Sequence, residues 1–340
     1  MTQPLKTFLK YLFSGLVTVS FLYLAFRGTD FARLVELMEG ANYWWVCLTV
    51  ALLITSHLLR SWRWRYLLEP IRSGIGMRNL FSGVMIGYFM NNLLPRAGEL
   101  VRPYSLAKLE SLPKSAVFGT IVVERIMDTI TFLVLLLVLP IVYNGPLRES
   151  FPWLERTGMI TAAVTVGLLG FFIMLVFRRD LADRLLGTTV HFFPERIGKK
   201  LDRIMHSFLD GFLFVKRPAN FLRILILSCL VWLLYMLMLY AAFWAFDLQN
   251  LLGFRAALVL LTISSIGFAV PTPGGTGAYH FFASQTLVKL FSIPDAVAIS
   301  YATVTHAATY IGVTVVGLYY LLHDHIKVSD AVAKPEEQSG

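Results

Sequence analysis

One apolar stretch of the chain carries three charged residues in its interior. Residues 115–142 are long and apolar enough to cross a bilayer, yet they contain Glu124, Arg125 and Asp128. A charge at membrane depth costs several kcal/mol unless it is paired or faces water, so it usually marks a pathway or a binding site. Glu124 and Asp128 are one helical turn apart and share a face, whereas Arg125 points about 100° away. We therefore expect a membrane span that faces a polar interior.

The chain as a whole has the composition of a membrane protein. Hydrophobic residues make up 56% and charged residues only 15% of the sequence, and the mean hydropathy is +0.66. Several apolar stretches reach the length of about 20 residues that spans a hydrocarbon core, and they do not alternate as membrane strands do. We predict an all-α polytopic membrane protein in which residues 1–325 form one integral membrane domain.

Eight apolar segments are predicted, of which six are full spans and two are broken hairpins. The six spans are residues 8–26, 42–59, 115–142, 158–177, 221–246 and 295–322. The first hairpin covers residues 79–112 and the second covers residues 253–291. Each half of the chain, about 1–145 and 156–325, reads span, span, broken hairpin, span. Because each half crosses the membrane three times, the second half starts on the side opposite to the first. This order therefore predicts a pseudo-inverted repeat, in which the two hairpins enter the membrane from opposite sides.

A full crossing by residues 79–94 is the alternative to a re-entrant first hairpin. It would place Arg96, Arg102 and Lys108 on the outer side of the membrane. Basic residues tend to stay on the cytoplasmic side, so the re-entrant hairpin is favoured. Non-helical backbone at membrane depth must be surrounded by protein or by water.

Basic residues lie mostly between the predicted spans. The net charge of +9 therefore reflects topology and contact with anionic lipid rather than nucleic acid binding. Arg60 and Arg63 follow the second span among aromatic residues, which indicates a cytoplasmic flank. The basic segment 178–220 contains an amphipathic stretch that is expected to lie on the inner leaflet. We expect a multi-pass protein of the cell inner membrane, with cytoplasmic N- and C-termini and a disordered tail at residues 326–340.

The break in the first hairpin combines a helix stop with charges. A proline precedes Arg96, Glu99 and Arg102. The planar fork of arginine suits a lipid phosphate, so Arg96 and Arg102 are candidates for holding an anionic head group. Glu124 and Asp128 would balance these arginines when the site is empty. Two alternatives stay open: ordinary loop charges at the break, and a structural ion pair that fixes the packing of the hairpin.

The break in the second hairpin, residues 271–277, contains two prolines and three glycines. Proline removes backbone donors, and Gly274, Gly275 and Gly277 let the backbone approach a ligand closely. Together with Pro271, these glycines are candidates for an anion-binding nest of backbone N–H groups. The motif is not a Walker A loop, because no Gly-Lys-Ser/Thr follows. The alternative is a plain turn between two full spans.

Two histidines follow this motif at positions where they could carry protons. His280 comes just after the break and His306 lies inside the last span. A histidine titrates near neutral pH, although a lone histidine in a membrane is more often a structural residue. No metal site and no cofactor are expected, because Cys47 and Cys229 lie in apolar spans and no ligand spacing supports a metal.

The chain resembles the lysylphosphatidylglycerol synthase transmembrane-region family, also called the flippase-like domain family. The resemblance rests on residues 91–102 (NNLLPRAGELVR), 123–128 (VERIMD) and 271–277 (PTPGGTG), and less specifically on residues 60–67 (RSWRWRYL). It extends from about residue 5 to residue 325. The positions that match the family's motifs are Arg96, Glu99, Arg102, Glu124, Arg125, Pro271, Gly274, Gly275 and Gly277.

The resemblance implies an inner-membrane protein that is linked to the movement of lipids between leaflets. Bifunctional relatives append a soluble aminoacyl-transferase domain, so lysine transfer to lipid is not expected of these 340 residues. Many relatives place an acidic residue shortly after the Pro-Gly-Gly loop, where this chain has His280. This departure changes the charge balance that the resemblance implies for the site.

The favoured hypothesis is a translocator of a phospholipid, a glycolipid or a lipid-linked precursor. Its partners would be the membrane and an anionic lipid, and a homo-oligomer is left open. Replacing Glu124 by glutamine is expected to stop lipid movement without harm to folding. One alternative is an intramembrane enzyme that uses Glu124 or His306 as acid and base. The other is a membrane partner of an envelope enzyme that transports nothing.

Overall fold

The structure is a computed structural model that describes residues 3–145, 147–178, 195–213 and 218–328. Within these ranges every long regular element is an α-helix, so the predicted all-α class is confirmed. The helices are α1 (Gln3–Phe26), α2 (Phe31–Glu39), α3 (Tyr43–Leu68), α4 (Met77–Leu93), α5 (Gly98–Glu110), α6 (Lys114–Val142), α7 (Leu147–Ser150), α8 (Leu154–Phe177), α9 (Glu195–Asp210), α10 (Pro218–Ala245), α11 (Phe254–Ala269), α12 (Ala278–Phe291) and α13 (Asp295–His323). A short 3₁₀ turn, Pro273–Gly275, lies between α11 and α12.

Four helices are long and apolar enough to cross a membrane, namely α3, α6, α10 and α13. A fifth span results if α1 and α2, which are bent by 87° relative to each other, count as one. Helix α8 has 24 residues and covers the predicted fourth span. Six full spans therefore stay a prediction, whereas a multi-pass helical membrane protein is confirmed.

Helices α4 and α5 form the first hairpin. They have 17 and 13 residues, which at about 1.5 Å per residue makes both shorter than a hydrocarbon core of about 30 Å. Asn79 at the start of α4 donates to Glu110 Oε1 at the end of α5 over 2.7 Å. A Cβ atom on Gly98 would overlap the backbone carbonyl of Gly87, so only glycine permits this close approach at the tip. The chain thus returns to the end of the bundle at which α4 begins, as the favoured hairpin requires, and its re-entry into the membrane stays a prediction.

The two hairpins have their bases at opposite ends of the helix bundle. Helix α6 begins four residues after α5 and ends at Val142. The hydroxyl of the next residue, Tyr143, donates to Leu290 O near the end of α12 over 2.8 Å. Helix α13 begins beside the end of α12 and ends at His323. The next residue, Asp324, accepts from Arg78 at the start of α4 over 2.6 Å. Both 29-residue helices therefore run from one hairpin base to the other, in opposite directions.

Helix α9 covers part of the predicted amphipathic segment. Ile204 is exposed on it, but Leu209 near its end and Phe212 just beyond it are fully buried. A Cβ atom on Gly119 of α6 would collide with the backbone of Phe208, so α9 packs directly against α6. The expected surface helix is thus docked on the protein at its C-terminal end. Residues 179–194 and 214–217 of the predicted segment lie outside the described residues, as do residues 329–340 of the predicted tail.

An ion pair at the base of the first hairpin gives a pH prediction. Burial by itself would raise the pKa of Asp324, but hydrogen bonds from Ser82 and Arg78 outweigh it and hold this pKa below its ordinary value. Because the folded-state pKa is depressed, the carboxylate stabilises the fold above about pH 4 and loses that contribution as the pH falls through its folded-state value. Asp324→Asn is expected to lower the unfolding temperature equally from about pH 5 to about pH 8.

The difference between the wild type and Asp324→Asn should shrink below about pH 4. Thermal unfolding in detergent across this range measures it. Arg78→Gln removes the other partner of the same pair and should give the same profile, because Arg78 donates to Asp324. A difference that grows as the pH falls would contradict the assigned role of this carboxylate.

Candidate functional site

Two arginines of α3 are buried inside the bundle. The sequence predicts that the second span ends at residue 59 and that Arg60 and Arg63 lie in a cytoplasmic flank. This is wrong, because α3 continues to Leu68 and the two side chains are 3% and 0% exposed. Their burial is possible because Glu124 and Asp128 on α6 supply opposite charges within ion-pair distance. Helix α3 thus contributes charge to the site instead of ending before it.

Glu124 is the centre of this cluster. Its carboxylate is fully buried and accepts two parallel hydrogen bonds from Arg102, at 2.7 and 2.8 Å. Arg60 Nη1 donates to the same carboxylate over 2.6 Å, and Arg125 Nη2 does so over 3.1 Å. The bidentate geometry with Arg102 is the strongest form of an arginine–carboxylate pair. Glu124 therefore ties α3, α5 and α6 together.

Asp128 is the second carboxylate of the cluster. Arg60 Nη1 lies 2.7 Å from Oδ2, and Arg125 Nη2 lies 3.2 Å from the same oxygen. Arg63 Nη2 lies 2.8 Å from Oδ1, close enough for an ion pair although the atoms are not aligned for a hydrogen bond. Four guanidinium groups thus face two carboxylates, which leaves the cluster with an excess of positive charge.

Residues outside the charged cluster also contact its arginines. The Arg102 guanidinium lies 4.1 Å from the ring centre of Trp64, within the range of a cation–π interaction. Arg63 donates to Ser228 Oγ over 2.9 Å, and Arg60 donates to Tyr235 OH over 3.0 Å. Both acceptors lie on α10, the helix that packs along α3. The cluster is thus a fixed polar core between four helices.

A cavity of about 530 Å³ adjoins the cluster. Arg60, Arg125 and Asp128 line it, whereas Glu124 and Arg102 lie behind this wall. The predicted site residues that also line it are Arg96, Glu99, Pro271, Gly274, Gly275 and His306. Those that do not are Glu124, Arg102, Gly277 and His280. Among the residues that the structure describes, no group of three His, Cys, Asp or Glu side chains could hold a metal ion.

The tips of the two hairpins meet beside this cavity. Arg96 adopts a left-handed conformation, with φ of 61°, and its Nη2 donates to Ala269 O at the end of α11 over 3.0 Å. Tyr310 OH of α13 donates to Asn92 O at the end of α4 over 2.8 Å. Asn92 Nδ2 in turn donates to Tyr310 O over 3.2 Å. The predicted phosphate ligand Arg96 thus joins one hairpin to the other while it lines the cavity.

The glycine-rich break uses two of its three glycine amides within the loop. Gly274, Gly275 and Gly277 all have positive φ, between 55° and 81°. The amide of Gly275 donates to Thr272 O over 3.3 Å, and the amide of Gly277 donates to His280 Nδ1 over 3.3 Å. These donors are used within the loop, so they are not available to an anion. The motif forms the tip of a hairpin, and an anion-binding nest at Gly274 stays a prediction.

Both predicted histidines hold the backbone of this loop. His306 Nε2 is 3.0 Å from Gly274 O, which requires a proton on Nε2. His280 Nδ1 accepts from Gly277 N, which requires that this nitrogen carries no proton. The two rings are 4.7 Å apart, and the ring of His280 packs 5.9 Å from that of Phe26 on α1. A structural role accounts for both contacts, and proton coupling stays a prediction.

The contact between the hairpin tips can be tested at Gly274. A Cβ atom there would lie 2.7 Å from Asn92 Oδ1 and 2.9 Å from the ring of Tyr310, and its φ of 55° disfavours alanine. Because the added methyl group overpacks the contact, Gly274→Ala is expected to destabilise the protein by about 1–3 kcal/mol. Unfolding in mixed micelles measures the change. Gly170→Ala, on an exposed helix face with no atom within 4 Å, should be neutral or stabilising.

Known proteins similar to this chain are themselves membrane proteins. A UPF0104 membrane protein of Methanocaldococcus jannaschii is 26% identical over 324 residues, which covers 90% of this chain and 93% of the relative. A second, from Methanothermobacter thermautotrophicus, is 29% identical over 257 residues, with coverage of 72% and 75%. A third, from Pyrococcus horikoshii, is 25% identical over 304 residues, with coverage of 84% and 88%. No solved structure matches the chain.

One family model covers nearly the whole chain. It is described as the lysylphosphatidylglycerol synthase TM region, and it matches residues 9–317. The match includes both hairpins, the charged cluster and the cavity, so the resemblance that the sequence motifs carry is confirmed. This chain belongs to the family of the lysylphosphatidylglycerol synthase transmembrane region.

Proposed function

We propose that this protein moves the anionic head group of a phospholipid, a glycolipid or a lipid-linked precursor between the two leaflets. The observation that carries this proposal is a cavity at the centre of the bundle with a positively charged wall. Asp128 is the central residue of α6 and Thr309 is the central residue of α13, and both line the cavity. Two helices of 29 residues are longer than the hydrocarbon core, so their centres lie near the middle of the bilayer.

Arg125 is the arginine best placed to bind a phosphate. Its side chain is 43% exposed, while those of Arg60, Arg63 and Arg102 are nearly or fully buried. Both of its ion pairs in the described part of the chain use Nη2, so the rest of its fork remains for a ligand. An arginine fork binds phosphate oxygens through charge-assisted hydrogen bonds. The acyl chains of the lipid would remain in the bilayer.

The placement of the hairpins supports alternating access to the cavity. Their bases lie at opposite ends of the bundle and their tips meet at the cavity, an arrangement expected of an inverted repeat. Rocking of one hairpin relative to the other would open the cavity to one leaflet at a time. Arg72, Arg78 and Lys108 lie at the base of the first hairpin, so we assign that end to the cytoplasm. Both termini would then be cytoplasmic, in the inner membrane of the cell.

Purified protein in vesicles tests this function. Vesicles of phosphatidylcholine and phosphatidylglycerol would contain a trace of phosphatidylglycerol labelled on its acyl chain, and dithionite would bleach the outer leaflet. The protein should expose inner-leaflet label to dithionite, while mass spectrometry finds the lipid unchanged. A changed lipid mass would favour an intramembrane enzyme instead. Neither movement nor a changed mass would favour a membrane partner that transports nothing.

A further inference from the structure

We infer that the head group carried by this cavity contains a six-membered sugar or polyol ring attached to a phosphate. This inference rests on the proposed function and names the substrate class of the same site. The arginines alone would suffice to bind a bare phosphate. The aromatic lining of the cavity therefore indicates that the head group contains more than a phosphate. Aromatic side chains line the cavity from four helices, α4, α10, α12 and α13, and from the end of α11.

Two connected groups of lining rings lie close to the site. In the first, Trp232 and Tyr235 of α10 lie 6.0 Å apart, and Tyr235 binds Arg60 of the charged cluster. In the second, Tyr279 lies 5.4 Å from Phe268 and 5.5 Å from His306. The first group therefore begins at the phosphate-binding wall, and the second surrounds the tip of the second hairpin.

Aromatic faces of this kind suit a sugar ring. The face of an aromatic ring is electronegative, and it attracts the electropositive C–H groups on the faces of a sugar or polyol. An acyl chain would also pack on aromatic rings, but it could not satisfy the polar groups between them. Asn91, Ser264 and Ser265 line the same cavity, and burying such groups against hydrocarbon is unfavourable. The mixture of rings, hydroxyl groups and amides points to an occupant that is both ring-shaped and rich in oxygen.

Outside the charged cluster, three side chains of the lining have polar atoms that lack a hydrogen-bond partner among the described residues. These are both ring nitrogens of His57, Nε1 of Trp232 and Oγ1 of Thr272. His57 and Thr272 are 2% and 5% exposed, so they are almost fully buried in the wall of the cavity. A buried donor without a partner is costly to keep, and a site with such donors discriminates strongly in favour of a ligand that supplies acceptors. The hydroxyl oxygens of a polyol ring are acceptors of this kind.

The size of the cavity agrees with this class. Its volume of about 530 Å³ lies within the range of roughly 300–1,000 Å³ that encloses drug-sized ligands. A phosphate with a glycerol attached has only a few heavy atoms beyond the phosphate itself and would leave much of this space unfilled. A phosphate that bears a six-membered ring would reach from Arg125 to the aromatic side chains.

Two lipids of equal charge separate ring recognition from charge recognition. Vesicles of phosphatidylcholine would carry a trace of either acyl-labelled phosphatidylinositol or acyl-labelled phosphatidylglycerol. The wild-type protein should move phosphatidylinositol at least ten times faster, because only its inositol ring contacts the aromatic lining. Trp232→Leu should reduce this preference to less than threefold, whereas Trp232→Phe, which keeps a ring, should retain part of it.

Trp44→Leu serves as the matched control. Trp44 is 85% exposed on α3 and does not line the cavity, so both rates should stay at their wild-type values. Equal rates for the two lipids, or faster movement of phosphatidylglycerol, would overturn the inference and leave the proposed function standing. Movement of neither lipid would remove the proposed function and the inference with it. A preference that survives Trp232→Leu unchanged would also overturn the inference.

Discussion

Replacement of Glu124 by glutamine is expected to lower the free energy of unfolding by about 3–5 kcal/mol. The reason is that a buried charge left without its partner is far more costly than the pair is favourable. Glu124 accepts from Arg60, Arg102 and Arg125, and glutamine would leave Arg102 without a carboxylate partner and the other two with Asp128 alone. The sequence alone led to the expectation that this substitution spares folding. The structure changes that expectation, because Glu124 lies behind the cavity wall and joins three helices.

Reversible unfolding in mixed micelles measures this effect. Glu36→Gln is the matched control, because Glu36 forms an exposed pair with Arg33 at 2.6 Å. An exposed pair contributes less than about 1 kcal/mol, so the control should change stability little. Equal effects of the two substitutions would show that the buried cluster does not stabilise the bundle.

Replacement of Arg125 by glutamine is expected to slow the movement of labelled phosphatidylglycerol by roughly tenfold to a hundredfold. A hydrogen bond to a charged group contributes about 1.5–3 kcal/mol, which corresponds to this range. Because Arg125 is partly exposed and its loss reduces the excess of positive charge in the cluster, the substitution should harm stability much less than Glu124→Gln does. The vesicle assay and the unfolding assay together separate the two effects.

Arg125→Lys and Arg33→Gln complete this test. Lysine keeps the charge but loses the planar fork, so Arg125→Lys should fall between the wild type and glutamine. Arg33 lies on α2, outside the cavity lining, so Arg33→Gln should move lipid at the wild-type rate. A wild-type rate for Arg125→Gln would exclude this guanidinium from head-group binding.

The charged span could be recognised from sequence because membrane burial makes each ionised side chain costly. That cost predicts that the carboxylates of Glu124 and Asp128 are either paired with a basic group or exposed to water. Both belong to the charged cluster. It does not identify their partners, since Arg60 and Glu124 are 64 residues apart in the chain. Basic residues after an apolar run usually mark the end of a span, and here that rule failed. A usable signal was the spacing of His57, Arg60 and Trp64, which continues one helical face past residue 59.

The hairpin breaks were placed correctly from proline and glycine, whereas an anion-binding role of their backbone stays a prediction. A run of glycines permits the positive φ values of Gly274 and Gly277. Whether their amides are free depends on which acceptors lie nearby, and His280 Nδ1 takes the amide of Gly277. Gly277 and His280 are only three residues apart in the chain, yet their contact forms only because α12 begins between them and positions His280. The left-handed Arg96, which bridges to the other hairpin, depends on a contact with residue 269 that no local pattern predicts.

The central claim is that the cavity in the middle of the bundle opens to each side of the membrane in turn. Cys47 and Cys229 are exposed and would first be replaced by alanine, so that a single cysteine at Ser265 reports on the cavity lining. In oriented vesicles, a membrane-impermeant maleimide should label Ser265→Cys from either side, and an excess of short-chain phosphatidylglycerol should slow both reactions. Labelling from one side only, or from neither side, would contradict the account.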